Sequence, residues 1–359
     1  MNRQILLAGL ICVIAILIVP ASAQNHFYRI DSEQAKFTER KKLQERSSMP
    51  VNNSSQRNLK RPRANSLKPT YANVRYGPHE RNVFDLYLTK STRPAPLVLY
   101  IHGGGFRGGD KRSLNSGEAR SYLDAGFSIA AINYRLTNTA PAPAAYLDCA
   151  RALQFLRHNA GKWNINPQLV ASTGGSAGAG TSMWLAFHDD LADPDNKDPI
   201  ARQSTRLTCI AVRNGQSSYD PRFAEKIGLP RPNFERHPFF LPFYGINADE
   251  IDSHRAYERY DEAAPITYLS KDDPPALLYY TYPNEKVTKE TPLGFIVHHP
   301  KFGIALKERC DSLGIECIVQ YPKRKGGKLI RHGENTAPIT AVEFISRQFR
   351  KAASGTIKD

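Results

Sequence analysis

From Tyr71 onward the chain alternates short apolar runs with longer amphipathic stretches. Seven runs have the length of strands: NVFDLYL (82–88), PLVLYIHG (96–103), FSIAAINYR (127–135), QLVASTGG (168–175), TCIAVRNG (208–215), PALLYYTY (275–282) and ECIVQYP (316–322). Between them, residues 116–125, 144–161, 177–188, 302–313 and 336–350 carry apolar positions at helical spacing. Strand and helix patterns in alternation predict an α/β fold, with a mostly parallel central sheet covered by helices on both faces. Residues 217–267 break the rhythm. The opening of that stretch, SSYDPRFAEKIGLPRPNFERHPFFLPFYG, is rich in proline and aromatics and has no strand period. It reads as a cap inserted over the carboxyl edge of the sheet, where α/β proteins place their ligands.

The segment before residue 70 has a different texture. Residues 1–23 carry one basic residue, Arg3, then an apolar run from Ile5 to Val19, then Ala21, Ser22 and Ala23. This is the pattern of a secretory signal peptide cleaved after Ala23, and the run is short for an anchor that spans a bilayer. The expected address is therefore secreted or periplasmic, with no stable membrane span after cleavage. Residues 24–69 follow as a basic linker with few bulky apolar residues, and such a segment does not bury enough surface to fold. The fold proper is expected over 70–352, with a tail at 353–359.

Charge changes this picture little. The formal net charge is +15, and residues 24–68 hold eleven Lys or Arg against four Asp or Glu. No aromatic interleaving accompanies that surplus, so it describes a solvated tail rather than a nucleic-acid-binding surface. An even number of cysteines remains after cleavage: Cys149, Cys209, Cys310 and Cys317. Export would permit disulfides, a local bridge between Cys310 and Cys317 is sterically conceivable, and four buried thiols fit the composition equally well.

The chemistry concentrates at two glycine-rich turns. In QLVASTGGSAGAG an apolar strand runs into Gly174, Gly175, Ser176, Ala177 and Gly178, and a helical pattern follows. This is G-x-S-x-G between strand and helix, a turn that lifts one hydroxyl off the sheet and tolerates no bulk beside it. A phosphate cradle would use similar glycines. The second turn argues against it. YIHGGGFRGGDK ends another strand with His102, Gly103, Gly104, Gly105 and Phe106, whose backbone N–H groups suit an oxyanion. Phe106, Phe239, Phe240 and Tyr244 either line an acyl pocket or sugar platform, or pin the cap to the core. His298 and His299 are adjacent, so their side chains diverge, and no carboxylate or cysteine cluster joins them. A loop or helix-start role fits them better than a metal pair.

On GPHERNVFDLYL, IHGGGFRGGDK, INYRL, INPQLVASTGGSAGAG and HHPKFGIALKERCDSLGIECIVQYP, the stretch from Tyr71 to Arg350 resembles α/β-hydrolases of the hormone-sensitive-lipase-like branch. It is similar to exported bacterial esterases grouped with acetylxylan and feruloyl esterases. The resemblance implies a serine carboxylester hydrolase without cofactor or metal, acting on a small ester or an acylated polysaccharide. Ser176 would be the nucleophile, and Gly104, Gly105 and Ala177 the oxyanion hole. The base would be His332, between the last strand and the last helix. The acid would lie after PALLYYTY, where Glu285 stands beside Asn284 at the position an aspartate usually takes; Asp220 is a further alternative. An amide hydrolase of the arylformamidase kind, or a carbohydrate-binding protein that has lost turnover, are the other readings left open by these residues.

Overall fold

A computed structural model describes residues 67–231, 240–325, 328–330 and 338–355. The expected signal peptide and nearly all of the linker lie outside that range.

Eight strands form one sheet: β1 (Tyr71–Arg75), β2 (Val83–Tyr87), β3 (Ala95–Ile101), β4 (Ser128–Ile132), β5 (Ile165–Gly175), β6 (Cys209–Arg213), β7 (Ala276–Tyr279) and β8 (Cys317–Gln320), in the order β1-β2-β4-β3-β5-β6-β7-β8. The β1–β2 and β2–β4 pairings are antiparallel, and the five pairings from β4–β3 to β7–β8 are parallel. The seven anticipated runs are therefore all strands.

Both faces of the sheet are covered, so its central strands are apolar throughout. In β3, Leu97, Leu99 and Ile101 enter one core and Val98 and Tyr100 the other, as the two-residue period of a strand requires. Over the first face lie α2 (Ala144–His158) and α3 (Ala177–Phe187), and later in the chain the helix Lys301–Leu313. Over the second lie α1 (Ser116–Asp124), through Ala119 and Tyr122, and the final helix Ala341–Ala353, through Phe344, Ile345 and Phe349.

The insert between β6 and β7 contains no strand among its described residues. It carries three helices: α4 (Pro221–Lys226), α5 (Leu241–Tyr244) and α6 (His254–Ala263). Between β7 and β8 stands a five-residue helix, α7 (Leu293–Val297), directly before α8 (Lys301–Leu313). The final helix, α9 (Ala341–Ala353), begins five residues later than its apolar pattern suggests. Thr340 and Glu343 form a reciprocal capping box there, which fixes the first turn. Also unanticipated are the exposed edge strand β1 and a small hairpin, β9 (Lys323–Lys325) with β10 (Lys328–Ile330).

Under the turn that follows β3, Lys111 and Asp85 of β2 form a buried ion pair at 2.7 Å. The other Asp85 oxygen accepts from the Asn73 N–H at 2.8 Å, and the Lys111 N–H donates to Asn133 Oδ1 at 2.6 Å. Cys149, Cys209, Cys310 and Cys317 are buried free thiols. Among the described residues no helix is long and apolar enough to cross a membrane.

Candidate active site

β5 runs straight into α3, and the residue at the junction is Ser176. Its backbone has φ 54° and ψ −122°, a conformation that costs an L-residue about 1–3 kcal/mol. Two main-chain bonds hold it there: the Ser176 N–H donates to the Arg213 carbonyl at 2.9 Å, and the Gly180 N–H to the Ser176 carbonyl at 3.0 Å. The first turn of α3 presses against the end of β3 so closely that a Cβ on Gly178 would strike the Ile101 carbonyl. That is backbone against backbone, with no side chain to swing away, and it explains the glycine after the nucleophile position.

The second glycine turn passes over this serine. A Cβ built on Gly103 would stand 3.4 Å from the Ser176 Cβ. Gly104 and Gly105 follow with φ 122° and 60°. Among the described residues, no protein group accepts from the N–H of Gly104, Gly105 or Ala177, so all three donors are unspent.

His102 braces this turn and takes no part in proton transfer. It is fully buried and stacked on Tyr134, ring centroids 4.3 Å apart. Its Nδ1–H donates to the Gly103 carbonyl at 2.7 Å, and its Nε2 accepts from Arg81 at 3.2 Å. Arg81 also donates to the carbonyls of Tyr134 at 2.7 Å and Gly109 at 2.9 Å, closing the loop on both sides. Burial, reinforced by the Arg81 charge, lowers the His102 pKa from 6.5 to about 4. The sign follows: between those values the unfolded chain binds a proton that the folded one excludes. Acid therefore favours unfolding by up to about 1.4 kcal/mol per pH unit in that window. The urea midpoint should fall from about pH 7 to about pH 4.5, with a shallower slope in His102→Asn; equal slopes would refute the assignment.

The imidazole that meets the nucleophile is His298, whose Nε2 lies 2.9 Å from Ser176 Oγ. It caps the carboxyl end of α7, and its second hydrogen bond goes to the carbonyl of Gly294. Burial lowers its pKa, so the ring is neutral and Nε2 presents a lone pair to the hydroxyl. His299 turns the other way, fully buried, donating from Nε2 to the Glu285 carbonyl at 2.8 Å and accepting the Lys301 N–H on Nδ1 at 3.2 Å. The two rings do diverge, and His298 has more than a loop role. Sequence reasoning missed it because a five-residue helix leaves no periodic signal.

His332 and Phe239 lie outside the described residues. Asn284 is exposed and Glu285 half-buried, in the loop that His299 ties down. Asp220 caps α4, accepting from the Arg222 N–H at 2.8 Å, and its carboxylate is forked by the Arg222 guanidinium at 2.6 Å. Among the described residues, its side-chain oxygens accept from Arg222. The sequence held the signal, since Asp before Pro221 is a helix start.

Phe106 and Tyr244 are buried, and Phe240 is half-buried. Phe106 stacks on Phe243 of α5 at 4.6 Å and meets Tyr146 and Tyr219 edge-on at 5.6 and 5.7 Å. The Tyr244 hydroxyl donates to the Tyr219 carbonyl at 2.6 Å. Of the two roles open to these aromatics, the contacts of Phe106 and Tyr244 are those of anchors between insert and core.

Comparison with known proteins agrees with this geometry. The BD-FAE family matches residues 84–215. The probable carboxylic ester hydrolase LipM of Mycobacterium tuberculosis is 26% identical over 62% of this chain and 50% of its own length. Carboxylesterase NlhH of the same species is 31% identical over 44% of this chain and 47% of its own. The chain thus spans about half the length of these curated relatives. Among solved structures, a truncated carbohydrate esterase from gut microbiota gives a TM-score of 0.55 at 21% identity, covering 70% of this chain and 86% of that one. An acetyl ester-xyloside bifunctional hydrolase from Caldicellulosiruptor lactoaceticus gives 0.58 at 17% identity, covering 80% and 99%. With the sheet order and the serine elbow already established, these matches make the chain an α/β-hydrolase in fold, similar in sequence to carboxylesterases.

Proposed function

We propose that this chain is an exported serine carboxylester hydrolase that removes small acyl groups, acetyl foremost, from polysaccharide. The observation that carries the reading is one hydroxyl, Ser176 Oγ, held on a strained elbow with a neutral imidazole nitrogen 2.9 Å away. Three unspent N–H donors belong to the turn beside it and to the next residue. Ser176 attacks the ester carbonyl as its proton passes to a histidine. The oxyanion is met by the N–H groups of Gly104, Gly105 and Ala177, each such donor being worth about 3 kcal/mol in the transition state. The alcohol departs with the histidine's proton, and water then releases the acid from the acyl-enzyme. The family resemblance gives the base to His332 and the acid beside it to Glu285. Export rests on the opening 23 residues, and the polysaccharide on the likeness in fold to a carbohydrate esterase and an acetyl ester-xyloside hydrolase.

The test is to offer the purified chain p-nitrophenyl acetate, acetylated xylan and an N-formyl arylamine, each beside Ser176→Ala. Ser176-dependent release of acetate from both esters, with the formamide untouched, is the expected outcome. Faster turnover of the formamide would replace the reading with an amide hydrolase. Xylan binding without turnover of any substrate would replace it with a binding protein.

A further inference from the structure

We infer that His298, delivered by the short helix α7, is the general base for Ser176; this rests on the serine hydrolase reading above. The two atoms that must exchange a proton, Ser176 Oγ and His298 Nε2, are already at hydrogen-bond distance, 2.9 Å. The neighbouring ring, His299, is committed elsewhere, buried and bonded at both nitrogens to the Glu285 carbonyl and the Lys301 N–H. Tyr282 and Phe295, packed together at 4.6 Å, brace the same segment, and the Tyr282 ring lies parallel to His298.

The step balances without a further reactant. As the Oγ–carbon bond forms, the proton moves to Nε2 and the carbonyl electron pair to the oxyanion. As the tetrahedral intermediate collapses, the carbon–alkoxy bond breaks and the Nε2 proton leaves with the alcohol. Water repeats the cycle on the acyl-enzyme. The imidazolium that forms in between sits at the carboxyl end of α7, where His298 is the C-cap and a helix terminus favours positive charge.

The experiment compares kcat on p-nitrophenyl acetate for the full chain and for Ser176→Ala, His298→Ala, His298→Gln and His332→Ala. Urea midpoints accompany each, and His298→Gln preserves bulk should the alanine variant fold poorly. Expected are losses of about a thousandfold or more in both His298 variants, approaching that of Ser176→Ala, since members of one catalytic unit act together. Retention of activity within about tenfold in either folded His298 variant would overturn the inference. If His332→Ala alone then matched Ser176→Ala, the base would be His332 and the hydrolase reading would survive. Full activity in Ser176→Ala would instead remove the hydrolase reading itself.

Discussion

Replacing Ser176 with alanine is expected to lower kcat for aryl acetates by about ten-thousand- to million-fold without unfolding the chain. The fold survives because the elbow is held through main-chain atoms alone, the bonds to Arg213 and from Gly180. What disappears is the hydroxyl, and with it the hydrogen bond to His298. Alanine keeps the strained φ of 54°, so its urea midpoint should stay near that of the parent. Ser176→Gly should be equally inactive yet more stable by about 1 kcal/mol, since glycine adopts positive φ without the Cβ penalty. A glycine variant no more stable than alanine would show that the elbow stores no strain.

Asp85→Ala is expected to cost about 3–5 kcal/mol of stability, because it leaves the Lys111 ammonium buried without its counter-charge. The same substitution removes the acceptor for the Asn73 N–H. Replacing both partners with apolar residues, Asp85→Leu with Lys111→Met, should recover most of that loss, because no charge then remains buried. Urea titration of both variants beside the parent decides the matter: equal destabilisation by the single and double replacements would mean that the pair is worth its own interaction energy.

The sheet was legible because its strands carry short apolar runs, unbroken in β3, and because β5 runs directly into Gly174 and Gly175. The edge strand β1 was not, since its residues are largely exposed and only pairing to β2 makes it a strand. The nucleophile and the donors beside it could be read from local spacing, for each lies within a few residues of a strand end. Its partner could not. His298 reaches Ser176 across 122 positions of sequence, from a helix too short to show a period. The acid is harder still, because Asn284 and Glu285 share a loop without regular structure, tied in part by His299 from beyond α7. Asp220 shows the opposite case, a local role as a helix cap that its own neighbours, with Pro221 next, already signal.

Phe106 directly follows the glycines of the oxyanion turn and is stacked on Phe243 of the insert. The strand-to-helix segment after β4 ties the same two residues together, the Thr137 N–H donating to the Phe106 carbonyl and the Ala142 N–H to the Phe243 carbonyl, both at 2.8 Å. The insert is therefore not a lid free to lift by itself. A displacement of α5 would therefore be passed through Phe243 and Phe106 to the glycine turn that ends at Gly105.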